Sequence, residues 1–179
     1  MPRLFVGVPA PGSLDLSGVR GSLEDEGGVK LVDPANYHVT LAFLGDTPEG
    51  RVDAALQAIR EVVEGTGAHE GRARGLGAFP SEENASVVWT GIEETELDPL
   101  ANGIRERLRS RSIDVDDRND FHPHLTLGRL RDKRDMTHLL EPHASTDFGG
   151  FPVEQVHLYE STLTPEGPEY EIRGTAELG

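Results

Sequence analysis

Cysteine is absent from this chain of 179 residues. Its absence excludes disulfide bonds, thiolate metal ligands and thiol nucleophiles together. No apolar run approaches the roughly 18 residues that a membrane span requires, and residues 1–10 lack the longer apolar stretch of a secretory signal. We therefore expect a cytoplasmic protein without a membrane partner, whose chemistry depends on side chains other than cysteine.

Lysine is scarce, because only Lys30 and Lys133 are present among 17 basic residues. The 32 acidic residues give a formal net charge of −15. Such a surface repels phosphate in dilute salt, which disfavours a bulk electrostatic grip on nucleic acid. In molar salt the Debye length falls to about 3 Å and most of this repulsion disappears. The composition favours a halophilic protein, and an ordinary acidic protein is the alternative.

The chain is expected to form a single domain, 1–179, because it has no linker-like or low-complexity segment and the length of one ordinary domain. Strand-like and helix-like stretches alternate along it, which predicts an α+β class. The predicted strands are 4–8, 29–32, 38–44, 72–79, 87–92, 125–130, 153–163 and 170–175. The predicted helices are 13–25, 49–64, 98–111 and 136–140.

One tetrapeptide pattern occurs twice in predicted strands. Residues 38–41 read His-Val-Thr-Leu and residues 124–127 read His-Leu-Thr-Leu, 86 positions further on. A predicted helix follows each strand. This spacing, close to half the chain, indicates a duplicated architecture rather than a solenoid repeat.

The repeated pattern places two polar side chains on one strand face. His38 and Thr40 share a face, as do His124 and Thr126, because successive side chains alternate along a strand. One neutral imidazole can accept a proton from water or a ribose hydroxyl while the other, protonated, donates to a departing oxygen. The threonine hydroxyls can donate hydrogen bonds to phosphate oxygens. Metal ligation is the competing interpretation, but neither tetrapeptide has a carboxylate or thiolate on the same face.

A phosphate-binding role for Arg129 is open. Its guanidinium suits a forked contact with phosphate. Strand alternation, however, puts residue 129 with Leu125 and Leu127 on the core face. A bulge at Gly128 could turn the arginine to the strand face that bears His124 and Thr126.

Several other side chains have less specific signals. Phe43 has core parity and is expected to pack in the interior, whereas Trp89 is open between packing and stacking on a base. His122 is expected to be an exposed edge residue, and His157 to lie at the surface rather than in the cleft. The acidic run 114–120 is expected to be a solvated loop, because it lacks the ligand spacing of a calcium site.

Two longer segments resemble the signatures of a known family. Residues 37–45 and 121–129 are similar to the first and second signatures of the LigT-like group of the two-histidine (2H) phosphoesterases. Further stretches agree with strands of the same family: 3–8, 88–92, 158–161 and 164–167 with Tyr170. The resemblance therefore covers nearly the whole chain.

This resemblance implies a bilobal α+β domain with two pseudo-symmetric lobes of antiparallel sheet, helices packed outside and an active-site cleft between them. It implies an enzyme that opens RNA 2′,3′-cyclic phosphates to 2′-phosphomonoesters. We expect this enzyme to be a monomer that needs no metal ion or cofactor. The reverse reaction, 2′-5′ RNA ligation, would join tRNA halves. The family pattern makes His38 the proton donor and His124 the proton acceptor, with Thr40 and Thr126 beside them.

Two other functions remain as alternatives. One is a cyclic phosphodiesterase for a small nucleotide of the ADP-ribose cyclic phosphate type. The other is a non-catalytic module that binds RNA ends through its histidines. Turnover separates the enzymes from the module, and substrate size separates the two enzymes.

Overall fold

The sheet dominates the fold. A computed structural model describes residues 1–11, 14–93, 96–116 and 121–179. Nine strands within these residues form one antiparallel sheet: β1 (Arg3–Pro9), β2 (Val29–Leu31), β3 (His38–Asp46), β4 (His69–Pro80), β5 (Ala85–Glu93), β6 (His124–Arg134), β7 (Asp147–Val153), β8 (Gln155–Thr164) and β9 (Gly167–Glu177). The order along the sheet is β7-β4-β5-β6-β3-β1-β8-β9, and β2 pairs with β6 beside this path.

Helices cover the core face of the sheet. The described part of the chain has four α-helices: α1 (Ser17–Glu26), α2 (Val52–Val63), α3 (Leu97–Ser110) and α4 (Thr137–Leu140). α2 packs against α3 and β9, and α3 also contacts β3. Leu100, Ile104 and Leu108 of α3 are at most 2% exposed, because their helical spacing puts them on one apolar side. None of these helices is long and apolar enough to cross a membrane.

The sheet has two related halves. Counted outward from the junction of β6 and β3, β5 corresponds to β1, β4 to β8 and β7 to β9. The described residues of β3 and β6 pair at one position, Val39 with Leu125, and both side chains are fully buried. The strands separate on either side of this pair, so a cleft lies between the halves. The predicted α+β architecture of two related lobes is confirmed.

One strand prediction is wrong. The strand predicted over 153–163 is two strands, β7 and β8, which break at Glu154. Most of β7 is missed because Gly149, Gly150 and Pro152 have low strand propensity. This segment is extended because it pairs with β4, a contact distant in sequence.

Two other predictions touch parts of the chain that the structure leaves out. The helix predicted over 13–25 begins at Ser17, and Ser13 lies outside the described residues. Residues 117–120 of the acidic run 114–120 also lie outside them.

Candidate active site

The two repeated strands meet at the centre of the sheet. Val39 pairs with Leu125, and antiparallel counting from this pair sets His38 beside Thr126 and Thr40 beside His124. All four polar side chains are half-buried, whereas the alternate residues of both strands are buried in the core. The structure therefore brings the two imidazoles and two hydroxyls of the repeated pattern into one cleft.

Both imidazoles are oriented by the same hydrogen bond. Nδ1 of His38 lies 2.8 Å from the carbonyl oxygen of Asn36, and Nδ1 of His124 lies 2.6 Å from that of His122. A carbonyl oxygen only accepts, so each Nδ1–H donates and the hydrogen is fixed there. Each Nε2 is therefore the nitrogen that can accept or donate a proton.

Aromatic rings surround His38. The ring centroid of Phe5 is 5.0 Å from that of His38, Tyr170 lies edge-on at 5.3 Å, and Tyr159 lies at 5.8 Å. Burial in this environment lowers the pKa of His38, and the nearby charges of His124 and Arg129 lower it further against the opposing Asn36 carbonyl. A neutral imidazole is therefore favoured when no anion is bound.

His124 has a corresponding aromatic wall on the other half of the sheet. Its ring centroid is 5.1 Å from Phe79, 6.0 Å from Trp89 and 6.3 Å from His122. Burial is also the main cause that lowers the pKa of His124, and the charges of His122 and Arg129 act in the same direction. The two histidines thus occupy matched environments.

The threonine hydroxyls are available to a ligand. Thr40 and Thr126 make no side-chain hydrogen bond to any residue that the structure describes. Buried Thr90, by contrast, donates to the Gly75 carbonyl at 2.8 Å. Thr90 needs a hydrogen-bond partner within the protein because it lies in the core, whereas Thr40 and Thr126 lie on the cleft face, where a ligand can supply one.

Arg129 lies on the cleft face, where simple strand alternation does not place it. The β5–β6 register runs from Trp89–Thr126 to Val88–Gly128, which leaves Leu127 as an extra residue. This bulge reverses the alternation, so Arg129 is exposed. The charge of Arg129 lowers the pKa of both catalytic candidates, His38 and His124, as expected for a guanidinium near both rings.

A matching bulge in β3 overturns the packing prediction for Phe43. The β1–β3 register runs from Gly7–Thr40 to Val6–Ala42, which leaves Leu41 unpaired. Phe43 is consequently 53% exposed instead of lying in the core. It stands 86 positions before Arg129, so the two halves present an aromatic ring and a guanidinium at equivalent places.

The surface prediction for His157 is also wrong. The residue is 7% exposed, and its Nδ1 lies 2.9 Å from the Thr175 hydroxyl oxygen. Burial lowers the pKa of His157, and its ring is nearly perpendicular to that of Tyr159. His122, by contrast, is exposed as predicted, and its ring lies 5.1 Å from Trp89.

The sequence interpretation missed the aromatic walls as a feature of the site. Phe5, Phe79 and Tyr159 lie on strands next to the histidine strands or one further out. Their positions next to aliphatic residues in predicted strands indicate that these rings lie in the sheet. Only the pairing of the strands, which the sequence does not show, places the rings beside the histidines. Within the residues that the structure describes, no group of three or more His, Asp or Glu side chains is arranged to hold a metal ion.

The fold and the matched histidine strands define a phosphoesterase of the two-histidine type. The family model described as LigT like Phosphoesterase matches residues 6–89 and 91–170. A protein of Archaeoglobus fulgidus named RNA 2′,3′-cyclic phosphodiesterase is 36% identical over 94% of this chain and 96% of its own. A protein of the same name from Methanocaldococcus jannaschii is 30% identical over 81% and 82%.

Solved structures agree on the fold. TT0787 of Thermus thermophilus superposes with a TM-score of 0.77 at 29% identity, over 98% of this chain and 97% of its own. Escherichia coli LigT complexed with 3′-AMP superposes with a TM-score of 0.79 at 23% identity, over 99% and 98%. This chain belongs to the LigT-like phosphoesterase family.

Proposed function

We propose that this protein hydrolyses the 2′,3′-cyclic phosphate ends of RNA to 2′-phosphomonoesters. The observation that carries the proposal is the matched pair of imidazoles, His38 and His124, each held through Nδ1 with Nε2 left for a proton transfer. The names of the relatives from two archaea support the same substrate.

The proposed reaction uses the two Nε2 atoms in opposite senses. Nε2 of His124 takes a proton from water as the water oxygen attacks phosphorus. The bond from phosphorus to the ribose 3′ oxygen breaks, and Nε2–H of His38 protonates that oxygen. The product has a 2′-phosphate and a free 3′-hydroxyl, and exchange with solvent resets both imidazoles.

Charge on the phosphate oxygens grows during attack. The Thr40 and Thr126 hydroxyls and the Arg129 guanidinium would donate hydrogen bonds to the non-bridging oxygens, where this charge collects. These donors need no metal ion, so we propose a metal-independent reaction. Both histidines come from one chain, which supports a monomer. We propose that it acts on RNA ends in the cytoplasm.

The test is product analysis with RNA that ends in a 2′,3′-cyclic phosphate. We expect conversion to the 2′-phosphate, undiminished by a chelator such as EDTA. A 3′-phosphate product would contradict the assignment of the leaving oxygen. Activity that EDTA abolishes and one divalent metal restores would contradict the metal-independent mechanism.

A further inference from the structure

A basic groove begins at the edge of the cleft. Its volume is about 610 Å³, and it lies between the start of β2, at residues 28–30, and residues 129–131 of β6. Lys30 pairs across the strands with Arg129. Arg129 is thus shared between the proposed phosphate site and this groove, which leads away from the imidazoles.

The groove carries three exposed cations: Lys30, Arg129 and Arg131. Among the described residues, none forms an ion pair with any of the three. Other arginines of this acidic protein are paired, such as Arg72 with Asp147 at 2.8 Å and Arg173 with Glu160 at 2.6 Å. The groove therefore carries three cations that no described carboxylate neutralises, on a chain of net charge −15.

The three cations form a track along one face of the sheet. Arg129 and Arg131 are both exposed with buried Leu130 between them, so they share a face of β6, about 6.6 Å apart along the strand at 3.3 Å per residue. The Lys30 side chain extends across to the first residue of β9, since its Nζ would lie 2.9 Å from a Cβ added at Gly167. A row of positive groups at this spacing suits successive phosphates of a single nucleic acid strand.

We propose that this groove binds the RNA backbone immediately 5′ of the cyclic end, so that the enzyme prefers oligonucleotides to mononucleotides. The inference rests on the proposed function and deepens it. A mononucleotide cyclic phosphate has only the phosphate that Arg129 meets at the reaction centre. Lys30 and Arg131 therefore contribute only when upstream phosphates are present.

The test compares two substrates in about 0.1 M KCl, where the Debye length is about 10 Å. One is cytidine 2′,3′-cyclic phosphate, and the other is a short RNA with the same cyclic end. We expect Lys30→Gln and Arg131→Gln each to lower kcat/KM for the RNA about tenfold, as expected for the loss of one charge-assisted phosphate contact. For cytidine 2′,3′-cyclic phosphate the value should stay within about twofold of the unaltered enzyme.

Arg60→Gln is the matched control. Arg60 is exposed on α2, on the opposite face of the sheet, and its substitution removes the same charge without touching the groove. It should leave both substrates unaffected. The proposal would be overturned if Lys30→Gln and Arg131→Gln had the same kcat/KM for the RNA as Arg60→Gln. It would also be overturned if they lowered kcat/KM equally for both substrates.

A binding measurement separates this inference from the proposed function. Fluorescence anisotropy with an RNA that ends in a 3′-phosphate needs no turnover. We expect Lys30→Gln and Arg131→Gln to weaken its binding about tenfold and to reduce its salt dependence. If the enzyme hydrolysed neither cyclic substrate, the proposed function would fail. The groove would still be supported by weakened RNA binding in the variants, or contradicted by unchanged binding.

Discussion

At the residue scale, the two histidines are held alike but are proposed to act in opposite protonation states. Burial lowers the pKa of His38 and of His124 below the usual value of about 6.5. The base must be neutral and the acid must be protonated, so the rate depends on one proton shared between two coupled groups. A bound phosphate anion favours that proton, because an opposite charge stabilises imidazolium.

The pH dependence of catalysis follows from these shifts. The kcat/KM profile reports the free enzyme, so it should be bell-shaped with its maximum on the acid side of about pH 6.5. The kcat profile reports the complex, where the phosphate raises both pKa values, and its maximum should lie at higher pH. Steady-state kinetics across a pH series measures both. Coincident maxima, or a kcat/KM maximum on the alkaline side, would contradict this account.

The repeated pattern predicted the four central side chains, but it did not predict which way the next residues point. His38, Thr40, His124 and Thr126 precede the bulges, so simple alternation holds for them. Phe43 and Arg129 follow the bulges and are reversed. A bulge depends on how the partner strand pairs, and no single residue in either strand specifies one.

At the element scale, close packing of β4 against β5 supports the wall around His124. A Cβ built at Gly77 would lie 2.4 Å from Cη2 of Trp89, so only glycine leaves room for the indole. Trp89 in turn lies 5.1 Å from Phe79, measured between ring centroids. The absence of a side chain at Gly77 therefore allows the Trp89 ring to occupy its position beside His124.

We expect Gly77→Ala to destabilise the protein by about 1–3 kcal/mol, because the added methyl forces Trp89 to move. Activity should fall at temperatures where the variant is still folded. Gly21→Ala is the matched control: Gly21 lies within α1 with nothing near its added Cβ, so alanine there should stabilise by up to about 1 kcal/mol. Thermal unfolding of both variants tests this. Equal melting temperatures would show that β4 tolerates the methyl.

The elements themselves were predictable where local signals were strong. α2 and α3 have apolar residues at helical spacing. β1 is a short apolar run that is buried nearly throughout, and the start of β3 alternates between half-buried and buried residues. The strand β7 was not predictable, because Gly149, Gly150 and Pro152 carry no local strand signal and its pairing with β4 spans about half the chain. Tertiary contacts override propensity in such segments.

At the scale of the whole molecule, a strongly acidic surface surrounds a groove whose three cations pair with no carboxylate in the described part of the chain. The net charge of −15 makes the folded chain repel itself and repel RNA when ions are few. Exposed ion pairs offset little of this, since each contributes about 0–1 kcal/mol. Added salt should therefore act mainly by screening the repulsion within the folded chain and between the chain and RNA.

Raising KCl from about 0.1 M to molar levels shortens the Debye length from about 10 Å to about 3 Å. We expect the melting temperature to rise over this range, and turnover of cytidine 2′,3′-cyclic phosphate to rise with it. A salt series of thermal melts and rate assays measures both. Highest stability and activity at low salt would remove the halophilic interpretation without affecting the histidine chemistry.

The most direct test of the central claim is the pH–rate profile of His38→Ala and His124→Ala with a cyclic-phosphate RNA. Each variant should stay folded and lose about 10²–10⁴ in rate, because each lacks one proton transfer. His124→Ala should lose the acid limb of the profile, and His38→Ala the alkaline limb. A folded variant of either kind that kept nearly full turnover and both limbs would contradict the two-histidine mechanism.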